Sequence, residues 1–295
     1  MNHHTHTNAT PPALSQRETV VLAALARFRF LTARHIEAFL FQIETDIKPA
    51  SRPVLTQRIL KQLRSAGLIT RTERAVGGPG GGSGSFAHYL TKKGALALNQ
   101  TSPVASVRRT APRGTFLMRH ALAGADVALA FMTEATQRPG HEMLVWESDW
   151  EIAQRVGHEL IIPDAFLIYG SESTELHAFI EIDLGTAGSR FFQAKVERYL
   201  KLYRSGLWQQ SLEIWPIVLT VTPTATRSAL LKRSTETVLR SEPHRERLMQ
   251  ETEFAFTELD RVLTEGPLAA IWHLAGQDGT HHLLTEPGSK EKSHG

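Results

Sequence analysis

The chain has 295 residues, 41% of them hydrophobic and 21% charged, with no cysteine and a formal net charge of +3. That length accommodates two domains, each with its own core. The lack of cysteine excludes disulfides and Cys-based zinc sites and fits the cytoplasm as the expected compartment. No uninterrupted apolar run reaches the ~18 residues a membrane span needs, and the polar, His/Thr-rich start has no secretory apolar core.

The charge is unevenly divided. Residues 1–115 hold 16 Lys/Arg against 5 Asp/Glu, and the remainder holds 17 against 25. A basic first third beside an acidic remainder predicts a polyanionic partner for the first part, duplex DNA in the first instance, and different work for the rest.

Residues 1–12 read as a disordered tail. His3, His4 and His6 fit a flexible segment better than a metal site. Residues 13–100 carry helical patterns with start signals. Ser15 with Glu18 three residues on forms a capping box ahead of Val21, Leu22 and Leu25. Thr32 opens a second short helix through Ile36, Phe39 and Leu40. In the third, Ser51 is the expected cap, Pro53 sits in the first turn, and Leu55, Ile59, Leu60 and Leu63 form the buried stripe. Arg52, Gln57, Arg58, Lys61 and Arg64 fall mostly on the opposite face, and Gly67 is the expected left-handed stop.

Residues 68–71 and 86–90 then predict a β-hairpin around the Gly/Ser tip 77–84. Thr91 caps a closing helix. Three helices, a hairpin and a closing helix describe a winged helix-turn-helix whose third helix enters a major groove. Its basic face, with Arg71 and Arg74 on the wing, would lie along phosphates. The glycines at 77–84 lie between strands, so they do not form a phosphate loop opening a helix. Residues 101–115 form a Pro/Ser/Arg linker with Arg108, Arg109 and Arg113.

Residues 116–225 predict an α/β domain: a helix over 116–135, a strand over 143–147, a strand or short helix over 150–156, then the informative stretch 161–203. Two apolar strand patterns there carry Asp164, Glu181 and Asp183. If 170–174 is the hairpin loop, Asp164 falls opposite Ile180 or Glu181. Glu181 and Asp183 are two apart and share a strand face. Three converging carboxylates would call for a cation, and oxygen-only ligands suit Mg²⁺ or Mn²⁺. A buried strand is expected at 214–221. Residues 226–285 read as two charged helices, 225–240 and 244–265, and a last short strand at 271–274. A polar tail follows at 286–295. The overall class is α/β, α+β when both domains are counted, with a mixed central sheet.

Pro163-Asp164, followed by Glu181-Ile182-Asp183 on the next strand, resembles the PD-(D/E)xK nuclease fold. That resemblance implies metal binding by Asp164 and Glu181. It also implies a lysine two residues after the glutamate; here Asp183 stands in that place, and Lys195 on the following helix is the candidate replacement. More closely, the layout resembles the replication-relaxation family of plasmids and mobile elements. The N-terminal winged helix, Arg119-His120, Pro163-Asp164-Ala165, and Glu181-Ile182-Asp183-Leu184-Gly185-Thr186 with Lys195 and Tyr199 downstream carry it. The resemblance implies a DNA-binding factor for plasmid replication or relaxation, with a second copy of the chain as an expected partner in a homodimer. The alternatives are an Mg/Mn-dependent DNA endonuclease or nickase using Asp164, Glu181, Asp183 and Lys195, and a winged-helix transcriptional regulator. His120 and Glu134 read as structural or solvated, and Tyr199 and Tyr203 as core positions.

Overall fold

The computed structural model describes residues 14–42, 46–72, 85–101, 115–156, 161–186 and 188–284. Arg74, the wing tip, both tails and the linker arginines Arg108, Arg109 and Arg113 lie outside the described residues. Contacts divide the chain into two compact units, Met1–Met118 and Arg119–Gly295.

In the first unit, α1 (Gln16–Phe28) starts at the expected capping box. The Ser15 N–H donates to Glu18 Oε2 at 2.9 Å, and the Glu18 N–H donates back to Ser15 Oγ at 3.3 Å. β1 (Leu31–Thr32) leads into α2 (Ala33–Phe41), where Thr32 and His35 cap each other reciprocally. Ser51 does not cap α3 (Arg52–Ser65). A 3-10 turn, Pro49–Ser51, puts Ser51 at helical φ and ψ, where its side chain makes no capping bond. α3 ends in a Schellman arrangement. The Leu68 N–H reaches the Leu63 carbonyl and the Gly67 N–H the Arg64 carbonyl, with Gly67 at φ +69°.

β2 (Ile69–Arg71) and β3 (Ala87–Leu90) pair antiparallel with Ile69 opposite Leu90, and β1 adds an unforeseen third strand, giving the order β1-β3-β2. α4 (Lys92–Thr101) closes the unit against this sheet. A Cβ on Gly94 would stand 2.0 Å from the Leu68 carbonyl oxygen, so only glycine permits that approach. Val21, Leu22, Leu25, Ile36, Leu40, Leu60 and Leu63 form the core.

The second unit is built on a six-stranded mixed sheet flanked by helices. α5 (Thr115–Gln137) precedes β4 (Glu142–Ser148), and residues 150–156 resolve as helix within α6 (Asp149–Val156). β5 (Ala165–Gly170) and β6 (Glu175–Ile182) form the expected hairpin. α7 (Ser189–Ser205), β7 (Ile217–Thr222) and α8 (Ala225–Ser241) follow.

The helix expected over 244–265 is instead three elements: α9 (Arg245–Glu251), β8 (Phe254–Glu258) and α10 (Leu259–Thr264). Phe254-Ala-Phe-Thr-Glu is a short aromatic and β-branched run, and every residue of it is buried between sheet neighbours, a strand environment. β9 (His273–Leu274) ends the sheet, in order β4-β5-β6-β7-β8-β9. β6, β7 and β8 run parallel, and the other neighbouring pairs are antiparallel. Residues 226–285 therefore complete the same sheet.

α7 and α8 cover one sheet face through Phe192, Val196, Leu200 and Leu231, packed with Phe179, Phe254 and Phe256. On the other face Phe131 of α5 meets Tyr169, ring centroids 5.9 Å apart. By length and composition α5 is also the one described helix that could cross a membrane, with 23 residues and a hydropathy of 1.2. Its Ala125, Val127, Ala128 and Phe131 are fully buried, as in a core helix.

Candidate functional site

Two places carry the residues singled out from sequence, one in each unit. In the first unit, Thr56, Ile59, Leu60 and Leu63 anchor α3 in the core. Gln57, Arg58 and Lys61 point to solvent on the opposite side, beside the exposed Val54, and Arg64 is half-buried. Arg58 and Lys61 have no ion pair among the described residues. Arg52 is different. Its Nε donates to the Ile47 carbonyl at 3.1 Å and its guanidinium lies over the Phe41 ring, so it is turned into the unit. Arg71 is exposed and stacks over Phe86 at 4.2 Å from the ring centroid.

In the second unit the geometry starts from the β5–β6 hairpin. The Ser171 N–H closes the turn onto the Thr174 carbonyl, and Gly170 pairs with Glu175. The register runs unbroken to Ala165 opposite Ile180, so one further step sets Asp164 beside Glu181. Asp164 and Glu181 lie far apart in the chain but are neighbours at the end of this strand pair.

Each carboxylate is held by its own donors. Asp164 Oδ2 accepts the Ile182 N–H at 2.8 Å and lies 3.2 Å from His120 Nε2 of α5. Glu181 is only 2% exposed. Its Oε1 accepts the Tyr199 hydroxyl and its Oε2 accepts the Lys195 ammonium. Lys195 and Tyr199 are four apart on α7, so one helix face delivers both groups to one carboxylate.

The electrostatics differ between the two acids. Burial works to raise Asp164, but the His120 hydrogen bond and the Lys195 charge outweigh it and hold this carboxyl at about 2. Burial dominates at Glu181, reinforced by the Asp164 charge, and pushes it up to about 7 despite Lys195. Burial also opposes the charged forms of Lys195 and His120, yet both are raised by the carboxylates they face. The cluster therefore gathers two acids and two bases, with Glu181 poised near neutrality.

Asp183 does not join the other two acids. Arg227 of α8 grips it with two bonds of 2.8 Å, and its Oδ1 also accepts the Gly185 N–H at 2.7 Å. The chain has left β6 at Ile182, so strand alternation no longer fixes where Asp183 points. Among the described residues no group of three or more His, Asp or Glu has an arrangement for holding a metal ion. The donors at hand are the two carboxylates Asp164 and Glu181. Such a pair, completed by water and phosphate oxygens, is how Mg²⁺ is commonly held.

The remaining candidates separate cleanly. Glu134 binds Arg138 at 2.6 Å, and its charge acts on Tyr169, at the other end of β5 from Asp164. The hydroxyl of Tyr203 donates to Glu251, away from the cluster. Tyr199 is the core residue expected from its spacing, and its hydroxyl, which that reading left out, also holds Glu181. No local signal in the sequence marks Arg227 as a partner of Asp183.

The chain matches no curated protein and no solved structure. A family model described as replication-relaxation matches residues 22–218, a span that includes α3 and all five residues of the Asp164–Glu181 cluster. The chain belongs to the replication-relaxation family.

Proposed function

We propose that this protein is a DNA-binding replication or relaxation factor of a plasmid or other mobile element, and that its second unit carries a divalent-cation-dependent DNA-cutting site. The observation that carries the reading is the meeting of Lys195 with Glu181 beside Asp164. A lysine displaced from the strand to the next helix still reaches the acidic pair, which supplies the acid–acid–lysine set of the PD-(D/E)xK resemblance. In this reading the first unit is a winged helix. Gln57, Arg58 and Lys61 on α3 and Arg71 on β2 engage duplex DNA, chiefly its phosphates.

Asp164 and Glu181 would hold Mg²⁺ or Mn²⁺. The bound ion would supply Lewis-acid activation of a phosphate and lower the pKa of its water. The protein's own groups do the rest. The Ile182 N–H and His120 orient Asp164, and Tyr199 fixes the rotamer of Glu181. Lys195 places a positive charge where negative charge develops on a phosphate. Asp183 acts through Arg227, tying the 183–186 loop to α8.

A second reading has its own support. Both oxygens of Glu181 are already taken by donors within the chain, which suits a closed cluster retained for assembly, including as a homodimer. Supercoiled plasmid incubated with Mg²⁺ or Mn²⁺ separates the two. The cutting reading expects nicked or linear product from wild type and intact plasmid from Asp164→Asn and Lys195→Met. Intact plasmid from all three, with DNA binding retained, assigns the cluster to assembly.

A further inference from the structure

One large aromatic side chain of α7 stands mostly in solvent. Phe191, in the first turn of α7, is 60% exposed. The helix does not lack core residues there: Phe192 is buried against Phe256, and Val196 and Tyr199 are buried below it. Phe191 precedes Lys195 by four residues and Arg198 by seven, so the three lie along one flank of α7, about one turn apart. Arg190 and Arg198 are exposed, and the Arg198 charge acts on both Lys195 and Tyr199. The loop that precedes α7 carries small exposed residues, Gly185, Thr186 and Gly188. An open aromatic face with cations nearby on the same helix, one turn from the lysine that holds Glu181, is the combination that binds an unpaired nucleic-acid strand.

We infer that Phe191 is a stacking platform for an unpaired DNA base, with Arg190 and Arg198 following the strand's phosphates and Lys195 meeting the phosphate that enters the Asp164–Glu181 cluster. Charge complementarity selects a polyanion as the occupant. The aromatic face selects one with accessible base faces. A closed duplex offers phosphates and groove edges but keeps its base faces within the stack, so a duplex leaves the ring unused. The substrate class of the second unit is thus single-stranded or locally opened DNA. This rests on the cutting-site reading for its context, but it is tested by binding and not by cleavage.

The test uses the full chain with EDTA, a fluorescein-labelled oligothymidine and, separately, a labelled duplex, read by anisotropy. Phe191→Ala should weaken single-strand binding by roughly tenfold, within the range of one base–aromatic stack, and leave duplex binding unchanged. Phe191→Trp should restore the single-strand affinity and Phe191→Leu should not, because leucine keeps the bulk and loses the π face. Equal single-strand affinity in wild type and Phe191→Ala, or full rescue by leucine, overturns the proposal. So does a fall in molar mass by light scattering in Phe191→Ala with single-strand binding intact, since the ring would then cover a second copy. Absence of the stack in a protein that still cuts plasmid refutes this inference alone. A preserved stack in a protein that never cuts supports it and removes the catalytic reading.

Discussion

The exposed face of α3 and the end of the β5–β6 hairpin treat charge in opposite ways. On α3, Arg58 and Lys61 stand in water without an ion pair among the described residues. Their charge costs the fold little and remains available to a partner. At the hairpin end, Glu181 is almost wholly buried, and each charged group is held by a named neighbour. Charge taken out of water must be compensated within the chain, so substitutions there report on stability as well as on function. A basic helix face and a buried acidic pair therefore need different experiments, even where both are proposed to meet DNA.

The largest effect on stability is expected where a buried pair is broken. Arg227→Ala leaves Asp183 with little solvent and no ion-pair partner among the described residues; both side chains are 11% exposed. A destabilisation of about 3 kcal/mol is expected for stranding a buried charge, measured by urea denaturation. Asp183→Asn with Arg227→Met should recover much of it. Unchanged stability in Arg227→Ala would mean that the ion pair does not secure the 183–186 loop.

A smaller, pH-dependent effect is expected in the first unit. His88 on β3 is buried, with its Nδ1 lacking a hydrogen-bond partner among the described residues. Burial first, and then Arg64 and Arg71, lower it from 6.5 to about 4. The unfolded chain binds this proton more readily than the folded one, so stability is complete above pH 6.5 and falls as the pH drops toward 4. The linkage amounts to ~2 kcal/mol at pH 5. Urea denaturation at pH 7 and pH 5 should show this decrease in wild type and a smaller one in His88→Leu. The same slope in both proteins would place the acid sensitivity elsewhere.

The smallest stability effect belongs to α3. Arg58→Ala with Lys61→Ala should change stability by less than about 0.5 kcal/mol, as exposed substitutions do. It should nevertheless shallow the salt dependence of duplex binding by roughly 0.9 for each phosphate that is no longer neutralised. A mobility-shift titration over salt concentration checks this, and an unchanged slope would remove α3 from the DNA interface.

These contrasts also mark what can be read in the sequence. The capping box at Ser15, the Gly67 stop and the placing of Asp164 opposite Ile180 or Glu181 are local. Each is fixed by a few neighbouring residues or by the length of one hairpin loop. Lys195 is legible as the lysine of the following helix, whereas Tyr199 is legible only as a core position four residues on. The partners of the acids are not. His120 reaches Asp164 from α5, and Arg227 reaches Asp183 from α8, each across several intervening elements. No local pattern encodes such meetings. β8 is hidden for a related reason: its residues become a strand because β7 and β9 bracket them. The three-carboxylate site fails at the point where regular strand geometry ends, at Ile182.

The proposed cutting site requires that Asp164 and Glu181 together hold a cation. Titration of the apo-protein with Mn²⁺, followed by electron paramagnetic resonance of the free ion, tests it most directly. Saturable uptake of a single ion per chain is expected for wild type, abolished in Asp164→Ala and in Glu181→Gln, and retained in Arg227→Ala at a temperature where that variant is folded. Uptake that is equal in wild type and both carboxylate variants, or absent from wild type with DNA present, would contradict it.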